Sequence, residues 1–264
     1  MNSLSIFFGV TNYEFRMQIR RKAMWITFFS LALLGSILGG PGATYRHLID
    51  NPFHLTLLQL VSFWTSQVNS FMPIILGIML ADRLARDKRT KVDELFSTTP
   101  GALGWRLAGK YVGSVVATII PVLLFYSIGI GFILYYAQNP IILLYALETF
   151  AAIALPGLLF VAAFSIACPA IMWVPLYQFL FVGYWFWGNL LGSAQGIPTL
   201  SSTILTPVGG YMDAGIFGDP LGRSSASVSP TALQGVESII LLLAITLLVM
   251  FVLWGLLKWQ QARQ

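Results

Sequence analysis

ADRLARDKRTKVDELFSTTPGALGWRLAGK, residues 81–110, is the one long polar segment between strongly apolar stretches. It holds seven of the chain's 15 Lys and Arg (Arg83, Arg86, Lys88, Arg89, Lys91, Arg106 and Lys110) and four of its 10 acids (Asp82, Asp87, Asp93 and Glu94). Lys and Arg in short loops resist translocation, so this segment is expected on the cytoplasmic side of a membrane. Its charges are spaced for a helix: Asp82 with Arg86, Arg83 with Asp87, Asp87 with Lys91 and Arg89 with Asp93 are opposite pairs at i,i+4. Each pair adds only ~0.2–0.5 kcal/mol, but four favour helix over loop. Leu84, Ala85, Val92, Leu95 and Phe96 fall on one arc, interrupted by Lys88, and Thr99-Pro100-Gly101 ends the run. The pattern predicts a short amphipathic helix outside the bilayer. From charge alone, a solvated loop that only sets topology accounts for it as well.

The same segment contains a decoy. Gly104 to Lys110 imitates the start of a phosphate-binding loop, but Tyr111 stands where a Ser or Thr should hold magnesium, and no strand precedes it. Gly109, Gly113 and Ala117 instead form a small-residue stripe that would let another helix approach closely.

Outward from this segment the chain is apolar. Hydrophobic residues make up 57% and charged residues 9%, against roughly a quarter charged in a soluble domain. The mean hydropathy is +0.78. These values define an all-α integral membrane protein. The net charge of +5 is no nucleic-acid signal, because the basic residues flank membrane segments. A single cysteine, Cys168, excludes an intrachain disulfide. His47 and His54 share one loop, and no Cys/His cluster has metal-ligand spacing. No cleavable signal pattern is expected at the N-terminus.

Six spans are expected: about 23–40, 57–81, 107–136, 141–164, 176–191 and 233–257. Gly35 and Gly39 form a GxxxG in the first, Pro121 is expected to kink the third, and Gln138-Asn139-Pro140 makes the tight turn before the fourth. Residues 1–22 precede the first span. Ile6, Val10, Tyr13 and Met17 make a helical stripe and Arg16, Arg20, Arg21 and Lys22 crowd its end, although Phe8, Phe15 and Ile19 spoil a clean two-faced pattern. An interfacial helix that meets anionic lipid is the expectation. Residues 192–232, rich in Gly, Ser, Pro and Thr, are too apolar for a linker and too broken for a span. They read as short outer or re-entrant segments, the latter tolerated only when packed against protein. With six spans, thirteen basic residues fall inside and only Arg46 and Arg223 outside. That asymmetry places both termini in the cytoplasm of a cell-membrane protein.

Polar residues at membrane depth are the remaining candidates. Gln59, Ser62, Ser66 and Asn69 share one face of the second span. They either line a substrate path or hydrogen-bond between helices. Gln178, Trp185 and Asn189 share a face of the aromatic fifth span, whose rings suit an amphipathic ligand or serve as interface anchors. Glu148 in the fourth span is a functional candidate by default, though about two turns from the outer turn.

The layout resembles the membrane permease subunits of type-2 ABC exporters over nearly its whole length. The resemblance rests on YEFRMQIRRKAMW (13–25), on residues 81–100 with their ADR…RD…ELF.STP run, on Gly109-Lys110, and on the long region before the last span. It implies an N-terminal elbow helix, a coupling helix that docks on an ATPase, and a dimer of permeases with the second and fifth spans lining the path. By that resemblance Glu94, Leu95, Phe96, Ser97 and Thr98 meet the ATPase, helped by Glu14, Phe15 and Arg16. No ATPase signature is present, so ATP and magnesium would belong to a separate partner chain. The alternative is a motor-free protein, either a proton-coupled carrier using Glu148 or an assembly scaffold. An intramembrane enzyme is disfavoured: there is no HExxH, no paired carboxylates and no Ser-His arrangement at membrane depth.

Overall fold

The computed structural model describes residues 3–37, 55–84, 86, 103–190, 199–218 and 230–263. Among these residues the chain is all-helical, without strands, and four helices are long and apolar enough to cross a membrane. The first of the four, α3 (Leu57–Ala81), is the centre. Thr56 and Gln59 form a reciprocal capping box that starts it. Pro73 lies within it, and 72% of its apolar window is buried inside the chain.

The other three surround it. α4 (Leu103–Ala137) and α5 (Ile141–Ala170) are joined by the expected turn, with Gln138 at φ 49°. α8 (Ala232–Gln261) carries its own capping box, Thr231 with Gln234, and only 17% of its window is buried. It is therefore the peripheral helix, and its exposed Leu247, Leu248, Phe251 and Val252 fit a lipid surface. The span bounds agree with the sequence reading to within a few residues, except that α5 continues through Cys168–Ala170 as a 3₁₀ turn.

Three shorter helices complete the bundle: α1 (Ser3–Ile19), α2 (Lys22–Ile37) and α6 (Val174–Trp185), the last extended by a π-helical turn, Phe186–Leu190. The first and fifth expected spans fall on α2 and α6. Neither reaches span length among the described residues, so six spans remain an expectation, and four helices have the length and apolarity to cross. Gly39 lies outside the described residues, as do residues 87–102.

α5 departs from regular geometry for a definable reason. Pro156 has no N–H to offer the Ala152 carbonyl, and the preceding turn, Phe150–Ala154, widens to π geometry with the Leu155 N–H bonded to Phe150 O. Close packing elsewhere rests on glycines. Trp64 lies against Gly129 and Phe181 against Gly77, where no side chain could fit.

Candidate functional site

Two polar constellations sit at opposite ends of α3. The first gathers where α3 finishes. α1 lies along α4 at Gly109 and Gly113: a β-carbon at Gly113 would stand 2.5 Å from the Thr11 carbonyl oxygen, and one at Gly109 2.9 Å from that of Phe7. The small-residue stripe expected from the sequence therefore has a partner, and it is α1. This contact buries the polar side chains Glu14 and Gln18. Glu14 Oε2 accepts from Arg83 at 3.4 Å, and its Oε1 lies 3.9 Å from Lys110 Nζ. Arg21 pairs with Asp82 at 3.7 Å and Arg86 donates to Met17 Sδ at 3.2 Å. Trp25 Nε1 donates to Ile19 O at 2.8 Å and fixes the corner between α1 and α2.

At the centre of the node one buried carboxylate is shared by the buried Arg83 guanidinium and the half-buried Lys110 ammonium. Burial pushes the Arg83 guanidinium down to about 10, opposed by Glu14, so it stays charged at neutral pH. Its Nε and Nη2, and both amide atoms of the fully buried Gln18, have no hydrogen-bond partner. A buried ion pair of this kind is weak support for stability, since desolvation offsets much of the attraction. What it does supply is position: Arg83 and Lys110 flank the charged segment on either side, and both are held on one carboxylate of α1.

The second constellation is the polar face of α3. Ser66 donates to Asp213 Oδ2 at 2.6 Å. Asn69 Nδ2 lies within hydrogen-bond distance of three carbonyls: Ile153 at 3.2 Å, Pro207 at 3.0 Å and Val208 at 2.8 Å. Gln59 donates to Gly218 O at 3.2 Å, and Ser62 to Gln59 O at 3.0 Å. The described part of the broken region, residues 199–218, is thus seated on α3. It comprises a 3₁₀ turn (Leu200–Ser202), the short α7 (Gly210–Met212) and a π turn (Asp213–Phe217). Gly209, at φ 91°, makes a bend that L-residues resist. Gly157 admits the Pro207 carbonyl against α5, and Ser238 of α8 donates to Ile204 O at 2.6 Å.

The fifth-span candidates also turn toward α3. Trp185 Nε1 donates to Ser70 O at 2.8 Å and Gln178 to Ile78 O at 3.1 Å, while Asn189 donates to Trp185 O at 3.2 Å. Ser62, Ser66, Asn69, Trp185 and Asn189 are all buried in the single chain. On the α3 face the described side chains are engaged in hydrogen bonds to neighbouring segments. Glu148 is exposed on α5 among Leu143, Leu144 and Leu147, apart from both constellations. Phe15 is half-buried and Arg16 exposed on α1, whereas Glu94, Leu95, Phe96, Ser97 and Thr98 lie outside the described residues. The decoy glycine motif is plain helix within α4.

Sequence reasoning missed Asp213 as the partner of Ser66, and it missed a node among Thr65, Tyr126 and Thr149. Tyr126 Oη lies 3.1 Å from Thr65 Oγ1 and 3.2 Å from Thr149 Oγ1, and donates to Ala146 O at 2.9 Å. Thr65 in turn donates to Thr149 Oγ1 at 2.9 Å. Isolated hydroxyls in apolar spans carried no signal of which helices would meet.

No protein-family model matches the chain, and no curated protein matches it significantly.

Proposed function

We propose that this chain is the membrane-spanning permease subunit of an ATP-driven ABC exporter, working with a separate ATPase and a second permease. In this reading α2 and α6 are spans as well, giving six, with both termini in the cytoplasm of a cell membrane. α1 is the elbow helix and residues 82–106 the coupling segment. Glu94 to Thr98 meet the ATPase, with Glu14, Phe15 and Arg16 beside them.

The observation that carries the proposal is the attachment of Arg83 and Lys110 to Glu14. A loop pinned at both roots to a packed helix moves as a rigid element, and a displacement imposed on it reaches α3 and α4 together. A loop that only set topology would not need its roots tied. The exposed position of Glu148 adds support, because carboxylates that relay protons face a bundle interior or a watery cavity.

The test is affinity purification of the tagged chain in mild detergent with mass spectrometry of its partners. The expected result is a stoichiometric ATP-binding-cassette protein that is lost when Leu95→Asp and Phe96→Asp are combined while the chain stays in the membrane. Purification of the chain alone, together with loss of transport in Glu148→Gln, would replace the proposal with a proton-coupled carrier.

A further inference from the structure

We infer that the exposed face of α1 is a binding site for the phosphate headgroup of an anionic phospholipid. The site is a shallow, open depression along α1 lined by Gly9, Asn12, Tyr13, Arg16, Met17 and Arg20. These positions follow one stripe of the helix, opposite the face that carries Glu14 and Gln18 against α4. The inference rests on the membrane reading of the chain and not on the transport reading.

Three observations carry it. Arg16, in the last turn of α1, and Arg20, just past its end, are four residues apart and both exposed, so their like charges repel and an anion between them relieves that repulsion. Among the described residues the nearby acids are already engaged, Glu14 with Arg83 and Lys110 and Asp82 with Arg21, so neither arginine of the groove has a carboxylate. The location also fits. Arg21, next to Arg20, pairs with Asp82 directly after the last residue of α3, so the groove lies at the level where a membrane-crossing helix ends. On the six-span reading this is the side that carries thirteen of the fifteen basic residues, the side expected to face the more anionic leaflet.

The side chains match the ligand class. Two guanidinium groups bind phosphate oxygens with directed hydrogen bonds, the Tyr13 hydroxyl and Asn12 amide offer further donors, and Gly9 leaves the end of the groove open. The site also accounts for the imperfect two-faced pattern of α1. Its inward face carries polar groups for the Arg83 and Lys110 node, and its outward face is basic for lipid.

The experiment is native mass spectrometry of the full chain released from detergent, titrated with phosphatidylglycerol, phosphatidylcholine or inorganic phosphate. The expected result is one retained phosphatidylglycerol, favoured over phosphatidylcholine and not displaced by inorganic phosphate. Arg16→Gln with Arg20→Gln should weaken it roughly twenty-five-fold, two surface arginines each supplying about a fivefold factor. Gly9→Trp should weaken it too; a β-carbon there meets nothing within 4 Å, so the ring can occupy the site while both arginines and the packing of α1 on α4 are kept. Equal retention of the two lipids, or unchanged phosphatidylglycerol binding in Gly9→Trp and the double variant, would overturn the site. Loss of a co-purifying protein from the double variant with lipid retention intact would overturn it in favour of a protein-docking face.

Discussion

Glu14 Oε2 lies 3.4 Å from Arg83 Nη1, joining residues sixty-nine positions apart with both side chains almost wholly buried. The sequence offered Arg83 a partner at Asp87, four residues on, and gave no sign that Glu14 would take it. Together with Lys110 they fix α1 to the end of α3 and the start of α4, and so decide where the charged segment leaves the bundle.

Glu14→Gln removes the carboxylate that Arg83 and Lys110 share and leaves the Arg83 guanidinium buried without its ion pair. The expected cost is about 3–5 kcal/mol, the penalty for stranding a buried charge. Thermal unfolding of the detergent-solubilised protein should show it. Pairing Glu14→Gln with Arg83→Gln should recover part of the loss. A melting temperature equal to the parent's would mean that the pair does not form.

Gly113→Leu forces a side chain into the Thr11 backbone, which already stands 2.5 Å from the β-carbon position. α1 should lift from α4 while the spans remain inserted. The readout is proteolysis of α1 in membranes, which should quicken markedly. Gly131→Leu on the same helix, where an added β-carbon meets nothing, is the control and should behave as the parent.

Asn69→Leu removes the Asn69 bonds to the Pro207 and Val208 carbonyls, and Ser66→Ala removes the Ser66 bond to Asp213 Oδ2. Each interhelical bond of this kind contributes roughly 0.6–1.7 kcal/mol, so the pair together should loosen residues 199–218 without unfolding the bundle. A cysteine at Gly210, a position with open space around it, should label faster with a membrane-impermeant maleimide in the double variant. Equal labelling rates would show that the segment is held by other contacts.

Tyr126→Phe deletes one hydroxyl from the contact among Thr65, Thr149 and the Ala146 carbonyl. The expected loss is roughly 1–2 kcal/mol, because two threonines keep partners within their own helices. Thr65→Val should cost a similar amount. The double variant should cost less than the sum, since both remove the same bond. Additive losses in a denaturant series would contradict a shared node.

Sequence by itself determined the all-helical architecture, with helices apolar enough for a membrane, and the approximate bounds of the four longest of them. The physical reason is local: twenty or so apolar residues in lipid must satisfy their backbone internally, whatever surrounds them. The glycine stripe on α4 was legible for the same reason, since spacing along one helix fixes a face. Which helix filled that stripe was decided only by tertiary structure. So were the role of Glu14 and the seating of residues 199–218 on Asn69 and Ser66. A polar residue in a span announces that it needs a partner, but its identity depends on how distant segments cross, and that is set by packing across the whole bundle. The π turn before Pro156 shows the boundary between the two. Proline in the sequence marks a lost hydrogen bond, and only the folded chain shows Asn69 taking up the Ile153 carbonyl beside it.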